Sequence, residues 1–265
     1  MSSNTWTPLE VASRTTHCQL PLWRAVEAQH VVATRTLVDS RQEQELLEAL
    51  LERGKPTVPP RIAAAGLDYL LYTPFRYPPP PRGSRFRAYG DPGVWYGAER
   101  IRTACAEVGY WRWRFVTDSV GLRRLDAVPH TIFQAVVYAT AVDLRAPPFR
   151  RDQPFWNDPA DYSTCQDFAR VARTAQVQLI RYRSVRDPQH GGAGAVLDAA
   201  AFMPAIGVRR RQTWFLTVDR ERASWIRAGT PRTASQAHEF TFDEFEWPPQ
   251  PRARARARQA DPGPV

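Results

Sequence analysis

The stretch TPFRYPPPPRGSRFRAYGDPGVWYGAERIRTACAEVGYWRW, residues 73–113, changes character partway along, and its reading decides the fold class. Up to Gly97 it is so dense in proline and glycine that no long helix can cross it. Loop with short extended pieces is expected there, and VWY at 94–96 is the best strand within it. From Ile101 the pattern turns helical, with Ile101, Cys105, Val108 and Trp111 recurring at helical spacing. Downstream, Phe133–Leu144 alternates loosely and is rich in valine and alanine, which predicts a strand. Val177–Arg183, Ala195–Leu197 and Thr213–Val218 read as three further short strands. Asp158-Pro159 looks like an N-cap with proline at the first helical position, opening a helix with Tyr162, Cys165, Ala169 and Ala172 as its buried stripe. Strands and helices thus mix without a regular βαβ alternation. No GxGxxG follows a strand and no GxxxxGK[ST] is present, which argues against dinucleotide-binding and P-loop folds. The expected class is α+β, with flanking helices on a mixed or mainly antiparallel sheet core.

Working outward, residues 1–35 read as an irregular lead-in anchored by Trp6, Leu20, Leu22 and Trp23. Ser40 followed by Glu43 makes a capping box. Leu46, Leu47, Leu50 and Leu51 then share one helical face and Gly54 supplies the stop, so a helix is predicted at about 40–53. The division that follows is an N-terminal extension over 1–65, a main domain over 66–247 and a disordered tail over 248–265. That tail, PPQPRARARARQADPGPV, alternates Arg252, Arg254, Arg256 and Arg258 with alanine and cannot build a core.

The 265 residues carry a formal net charge of +9, so anionic partners are expected. Nearly all of the positive charge is arginine, Lys55 being the one lysine. Arginine suits bidentate recognition of phosphate and carboxylate. No apolar run approaches the length of a membrane helix, and the start MSSNTWTPLE lacks the pattern of a secretory signal. Neither a membrane-embedded nor a secreted protein is expected. Cys18, Cys105 and Cys165 are odd in number and unpaired in spacing, which predicts free thiols and a reducing, cytoplasmic setting. His17, His30, His130, His190 and His238 show no metal spacing, and no metal is expected.

Chemistry is concentrated in a few residues. Phe75-Arg76-Tyr77, Arg85-Phe86-Arg87 and Trp95-Tyr96 interleave guanidinium groups with flat rings on proline- and glycine-rich loops. Arginine forks suit a diphosphate and aromatic faces suit a heterocycle, although arginines solvated or stacked on rings would look the same. Glu107, flanked by Ala104, Cys105 and Ala106, is a carboxylate in an apolar helical setting, which must be either paired with an arginine or put to use. Ser184, in RYRSVRDP at a strand end, caps a turn or binds a ligand, and His190 lies close by in the loop DPQHGGAG.

These residues, in this order, resemble the RES domain family. The resemblance rests on GSRFR at 83–87, GVWYGAE at 93–99, the AE at 106–107 and a strand ending in RSVR at 183–186. Arg85, Tyr96, Glu107 and Ser184 stand at the matching positions, and Arg76-Tyr77 looks like the family's earlier Arg-Tyr pair. The match covers roughly residues 70–220, and both the N-terminal 65 residues and the Arg-Ala tail lie outside the usual compact toxin. What the resemblance implies is an ADP-ribosyltransferase-like fold and an enzyme that degrades NAD+ by phosphorolysis or hydrolysis of the nicotinamide–ribose bond. Inorganic phosphate is then the candidate co-substrate. Glu107 would stabilise the ribose cation, and Arg85, with Arg76 second, would hold the diphosphate or the attacking phosphate. Tyr96 and Tyr77 would stack on nicotinamide or close the pocket, and Ser184 would bond the nicotinamide amide or a phosphate. An Xre-type antitoxin is the implied partner, through which alone the chain would reach nucleic acid. The alternatives are a mono-ADP-ribosyltransferase acting on a protein or nucleic acid, and a basic nucleic-acid-binding protein without catalysis.

Overall fold

The computed structural model describes residues 6–28, 38–58, 60, 63, 66–78, 81, 83–229 and 236–245. The arginine-alanine tail lies outside the described residues. In chain order the elements are α1 (Pro8–Ala12), β1 (Thr16–Glu27), α2 (Arg41–Arg53), α3 (Tyr69–Arg76), β2 (Trp95–Ala98), α4 (Ile101–Asp118) and β3 (Arg124–Asp143). There follow α5 (Gln153–Trp156), α6 (Ser163–Thr174), β4 (Leu179–Arg183), β5 (Gly192–Val196), β6 (Val208–Asp219), β7 (Arg222–Arg227), β8 (Ala237–Thr241) and α7 (Phe242–Phe245). The fold is α+β around a mixed sheet, as the sequence predicts.

The sheet runs β1-β2-β5-β4-β3-β6-β7-β8, and β1 pairs with β3 as well. Among the described residues only β3 and β4 are parallel; every other pairing is antiparallel. Because β1 reaches both β3 and, at Trp23–Ala98, β2, the strands β1-β3-β4-β5-β2 close on themselves, and β6-β7-β8 extend from β3. The long strand β3 serves both parts. His130 and Ile132 are buried on one face of its first half, whereas Phe133, Ala135, Val137, Ala139 and Ala141 are buried on the other face farther along. A strand of 20 residues can change its buried face in this way because different layers cover its two ends.

Helices α3, α4 and α6 cover the sheet through three apolar clusters. Ala104, Cys105, Tyr110, Trp113 and Val116 of α4 pack on Trp23, Ile132, Trp214 and Trp225. Cys165, Phe168, Ala169 and Ala172 of α6 pack on Val142, Ile180, Tyr182 and Ala195. Leu70 and Leu71 of α3 meet Trp95, Phe133 and Leu179.

Several expectations are corrected. The irregular lead-in is in fact α1 and β1, and β1 aligns all 12 of its residues with β3. Pro21 disguises it: proline is tolerated on such a strand because β1 has a second neighbour only at Trp23. Trp111 is exposed, not part of a buried stripe, because residues 103–106 of α4 are buried all round and the helix then turns its next face outward. The helix signalled at Asp158-Pro159 begins at Ser163. Asp158 instead accepts from the amides of Ala160 and Asp161 at 2.8 and 2.7 Å, a turn that competes with helix initiation. Helix α2 has the capping box, with the Glu43 amide donating to Ser40 Oγ at 3.1 Å and the Ser40 amide to the Glu43 carboxylate at 3.2 Å. All three cysteines are free thiols.

Candidate active site

Glu107 is brought to Ser184 by two elements, helix α4 and the loop that leaves β4. The Ser184 hydroxyl donates to Glu107 Oε1 at 2.6 Å. It accepts from the backbone amides of Arg186 and Asp187 at 3.2 and 3.0 Å, and its own amide donates to the Gly191 carbonyl at 2.9 Å. The one proton and both acceptor positions of this fully buried hydroxyl are therefore occupied. Among the described residues Glu107 is held through Oε1 by a hydroxyl and not by an arginine ion pair.

Arg85 sits in a tight turn, Ser84 to Arg87, closed by the Ser84 amide to the Arg87 carbonyl at 2.7 Å and the reverse bond at 3.1 Å. Gly83 enters this turn with φ +68°, and a Cβ there would lie 2.3 Å from the Arg87 carbonyl oxygen, so only glycine fits. The Arg85 guanidinium is buried, donating from Nη1 to the carbonyls of Trp156 and Asp158 at 2.8 and 3.0 Å, with its carbon 4.6 Å from the Tyr162 ring centroid. Its Nη2 is buried with no hydrogen-bond partner among the described residues. Burial opposes the charge of Arg85, yet Cys165, Tyr162, Tyr182 and Glu107 together more than offset it, so its pKa lies above the ordinary arginine value. The charge of Glu107 thus reaches Arg85. The Cys165 thiol, against the same Trp156 carbonyl, is pushed by burial up to about 11.

Tyr96 projects from β2 into the Arg85 turn. Its hydroxyl pairs with Ser84 Oγ at 2.8 Å and accepts the Phe86 amide at 2.9 Å, and burial raises its pKa to about 12. A hydroxyl so engaged stays protonated and clamps the turn that carries Arg85. The expected site residues Arg85, Tyr96, Glu107 and Ser184 are therefore brought into one neighbourhood. Arg76 and Tyr77 sit at the end of α3: Arg76 Nε donates to the Pro56 carbonyl, and the Tyr77 carbonyl accepts from Arg87 Nη2 at 2.8 Å. That bond couples the Arg76-Tyr77 pair to the turn containing Arg85.

Sequence reading passed over three contributors. Arg186 is buried, 3.8 Å from the Tyr110 ring centroid, and donates to the Tyr162 hydroxyl at 2.9 Å. It stands in the same RSVR string that marked Ser184, which could have flagged it. Asp187 and Thr103 are buried and bonded to each other at 2.7 Å, and no local signal in the sequence announces that pair. His190 lies beside the site, its Nδ1 3.3 Å from the Ser184 carbonyl oxygen.

Comparison with known proteins bears on this geometry. No curated protein matches the chain. Among solved structures it is similar to one titled "Crystal structure of the M.tuberculosis MbcT-MbcA toxin-antitoxin complex", with a TM-score of 0.46 and 13% identity over 79% of this chain and 91% of that one. A RES domain family model matches residues 58–219, more than half of the sequence and the whole span from Arg76 to Ser184. The chain belongs to the RES domain family.

Proposed function

We propose that this protein is an NAD+-degrading enzyme that cleaves the nicotinamide–ribose bond, with phosphate or water as acceptor. The observation that carries the reading is the Ser184–Glu107 hydrogen bond, which fixes one oxygen of a carboxylate whose charge helps raise the pKa of the buried cation Arg85. Breaking the bond between C1″ and the nicotinamide nitrogen builds positive charge on the ribose, and a fixed carboxylate stabilises that charge as it develops. Nicotinamide leaves as a neutral ring with the bonding electrons, so the step needs no acid. Phosphate, or water losing a proton, then bonds to C1″. Arg85 Nη2 is the donor we assign to a phosphate oxygen of NAD+ or to the attacking phosphate, because its other terminal nitrogen is committed to two carbonyls. Tyr96 and Tyr77 support that anion site through the turn between them. The ADP-ribosyltransferase-like scaffold expected for the family accords with this chemistry.

Such an enzyme in the cytoplasm would act as a toxin unless restrained, and an Xre-type antitoxin is the restraint we infer. No described helix is long and apolar enough to cross a membrane. The test is to incubate the full chain with NAD+, with and without phosphate, and identify the products. Free nicotinamide with ADP-ribose or its 1″-phosphate supports the reading and names the acceptor. Radiolabel appearing on a protein or nucleic acid favours ADP-ribosyl transfer instead, and intact NAD+ overturns both.

A further inference from the structure

Asp187 bonds Ser184 through its backbone and the helix that carries Glu107 through its side chain. Its backbone amide donates to Ser184 Oγ at 3.0 Å. Its carboxylate, 2% exposed, accepts from Thr103 Oγ1 at 2.7 Å, from Arg102 Nη1 at 2.9 Å and from the Gln189 amide at 3.1 Å. Thr103 is fully buried and lies one helical turn before Glu107 on α4. A buried carboxylate is costly to desolvate, and here every donor belongs either to the first turn of α4 or to the loop that carries Ser184. The loop is pressed so closely on the helix that a Cβ at Gly191 would stand 2.1 Å from Thr103 Oγ1 and 2.8 Å from Asp187 Oδ2.

We propose that Asp187, acting through Thr103, is a positioning residue that sets the separation between helix α4 and the Ser184 loop and so aims the Glu107 carboxylate. The inference rests on the NAD+-cleavage reading for its chemistry. None of these bonds involves Arg85, so loss of the staple leaves the anion site intact and misplaces only the group that acts at the ribose. The signature is a fall in kcat with KM for NAD+ almost unchanged, because a misaimed group of this kind costs about tenfold to a hundredfold.

The experiment compares nicotinamide release by the full chain carrying Thr103→Val, Thr103→Ser or Asp187→Asn, each checked for folding by thermal melting. Thr103→Val preserves volume and deletes the donated proton, and Thr103→Ser restores it. We expect Thr103→Val and Asp187→Asn to lower kcat about tenfold or more at nearly constant KM, and Thr103→Ser to recover most of the rate. Wild-type kcat in Thr103→Val, or a loss that Thr103→Ser does not repair, overturns the assignment. If the unmodified chain releases no nicotinamide, the NAD+ reading fails on its own. The staple is then decided by the crystal structure of Thr103→Val: a lost Ser184–Glu107 bond supports it, and an unchanged bond overturns it.

Discussion

The Ser184 hydroxyl donates to Glu107 Oε1 across 2.6 Å while accepting two backbone amides from its own loop. A serine with all its hydrogen-bonding capacity engaged in this way serves to orient Glu107. The role inferred from family resemblance, a hydroxyl bonded directly to nicotinamide or phosphate, gives way in this account to that one. Ser184→Ala should therefore lower kcat for nicotinamide release and leave KM for NAD+ within about twofold. A rise in KM at constant kcat would instead place the hydroxyl on the substrate.

Arg85 should behave in the opposite way. Replacing it with alanine removes the charged donor proposed for a phosphate, worth about 2–3 kcal/mol of binding on that reading, and also strands the carbonyls of Trp156 and Asp158. Steady-state kinetics of Arg85→Ala should show KM raised by at least about tenfold, and calorimetry should show a lowered melting temperature. Unchanged KM for NAD+ would make Arg85 purely structural.

The turn that carries Arg85 depends on Gly83. Gly83→Ala forces a side chain at φ +68° and against a backbone oxygen 2.3 Å away, so it should cost about 1–3 kcal/mol of stability. Denaturant unfolding reads this directly. A neutral result would mean that the turn relaxes without penalty, and the anion site would lose its rigid frame.

Acid should weaken the fold through two histidines. Burial lowers the pKa of His130 below 6.5, against the opposing Val128 carbonyl and Glu27; burial and then Arg102 lower that of His238. The unfolded chain takes up these protons first as pH falls past about 6.5, so their contribution is whole above that value and shrinks as pH drops toward the folded-state values. Melting temperature should accordingly fall between about pH 7 and about pH 5.5, and the slope should flatten in the His130→Gln, His238→Gln double variant. An equal slope in both proteins would assign the effect to other groups.

How much of this was legible in the sequence differs from element to element. Strands β3 to β6 and helix α4 showed because apolar alternation and helical spacing are local. Strand β1 did not, since Pro21 and the polar residues on its exposed face erase the period, and only pairing with β3, more than 100 residues away, makes it a strand. Glu107 and Ser184 stood out by type and setting, but their contact spans 77 residues and is made by tertiary structure. The Asp187–Thr103 staple was invisible for the same reason: DPQHGG reads as a turn, and nothing nearby reveals that Asp187 is buried against a helix 84 residues earlier.

The most direct measurement is nicotinamide release from NAD+ by the full chain and by Glu107→Gln, run side by side with circular dichroism on both. The substitution nearly preserves the shape of the side chain and the bond from Ser184 while removing the charge proposed to meet the ribose cation. The account expects steady release by the unmodified chain and loss of at least about a hundredfold in a variant that remains folded. Equal release by both proteins, or none by the unmodified chain, would contradict it.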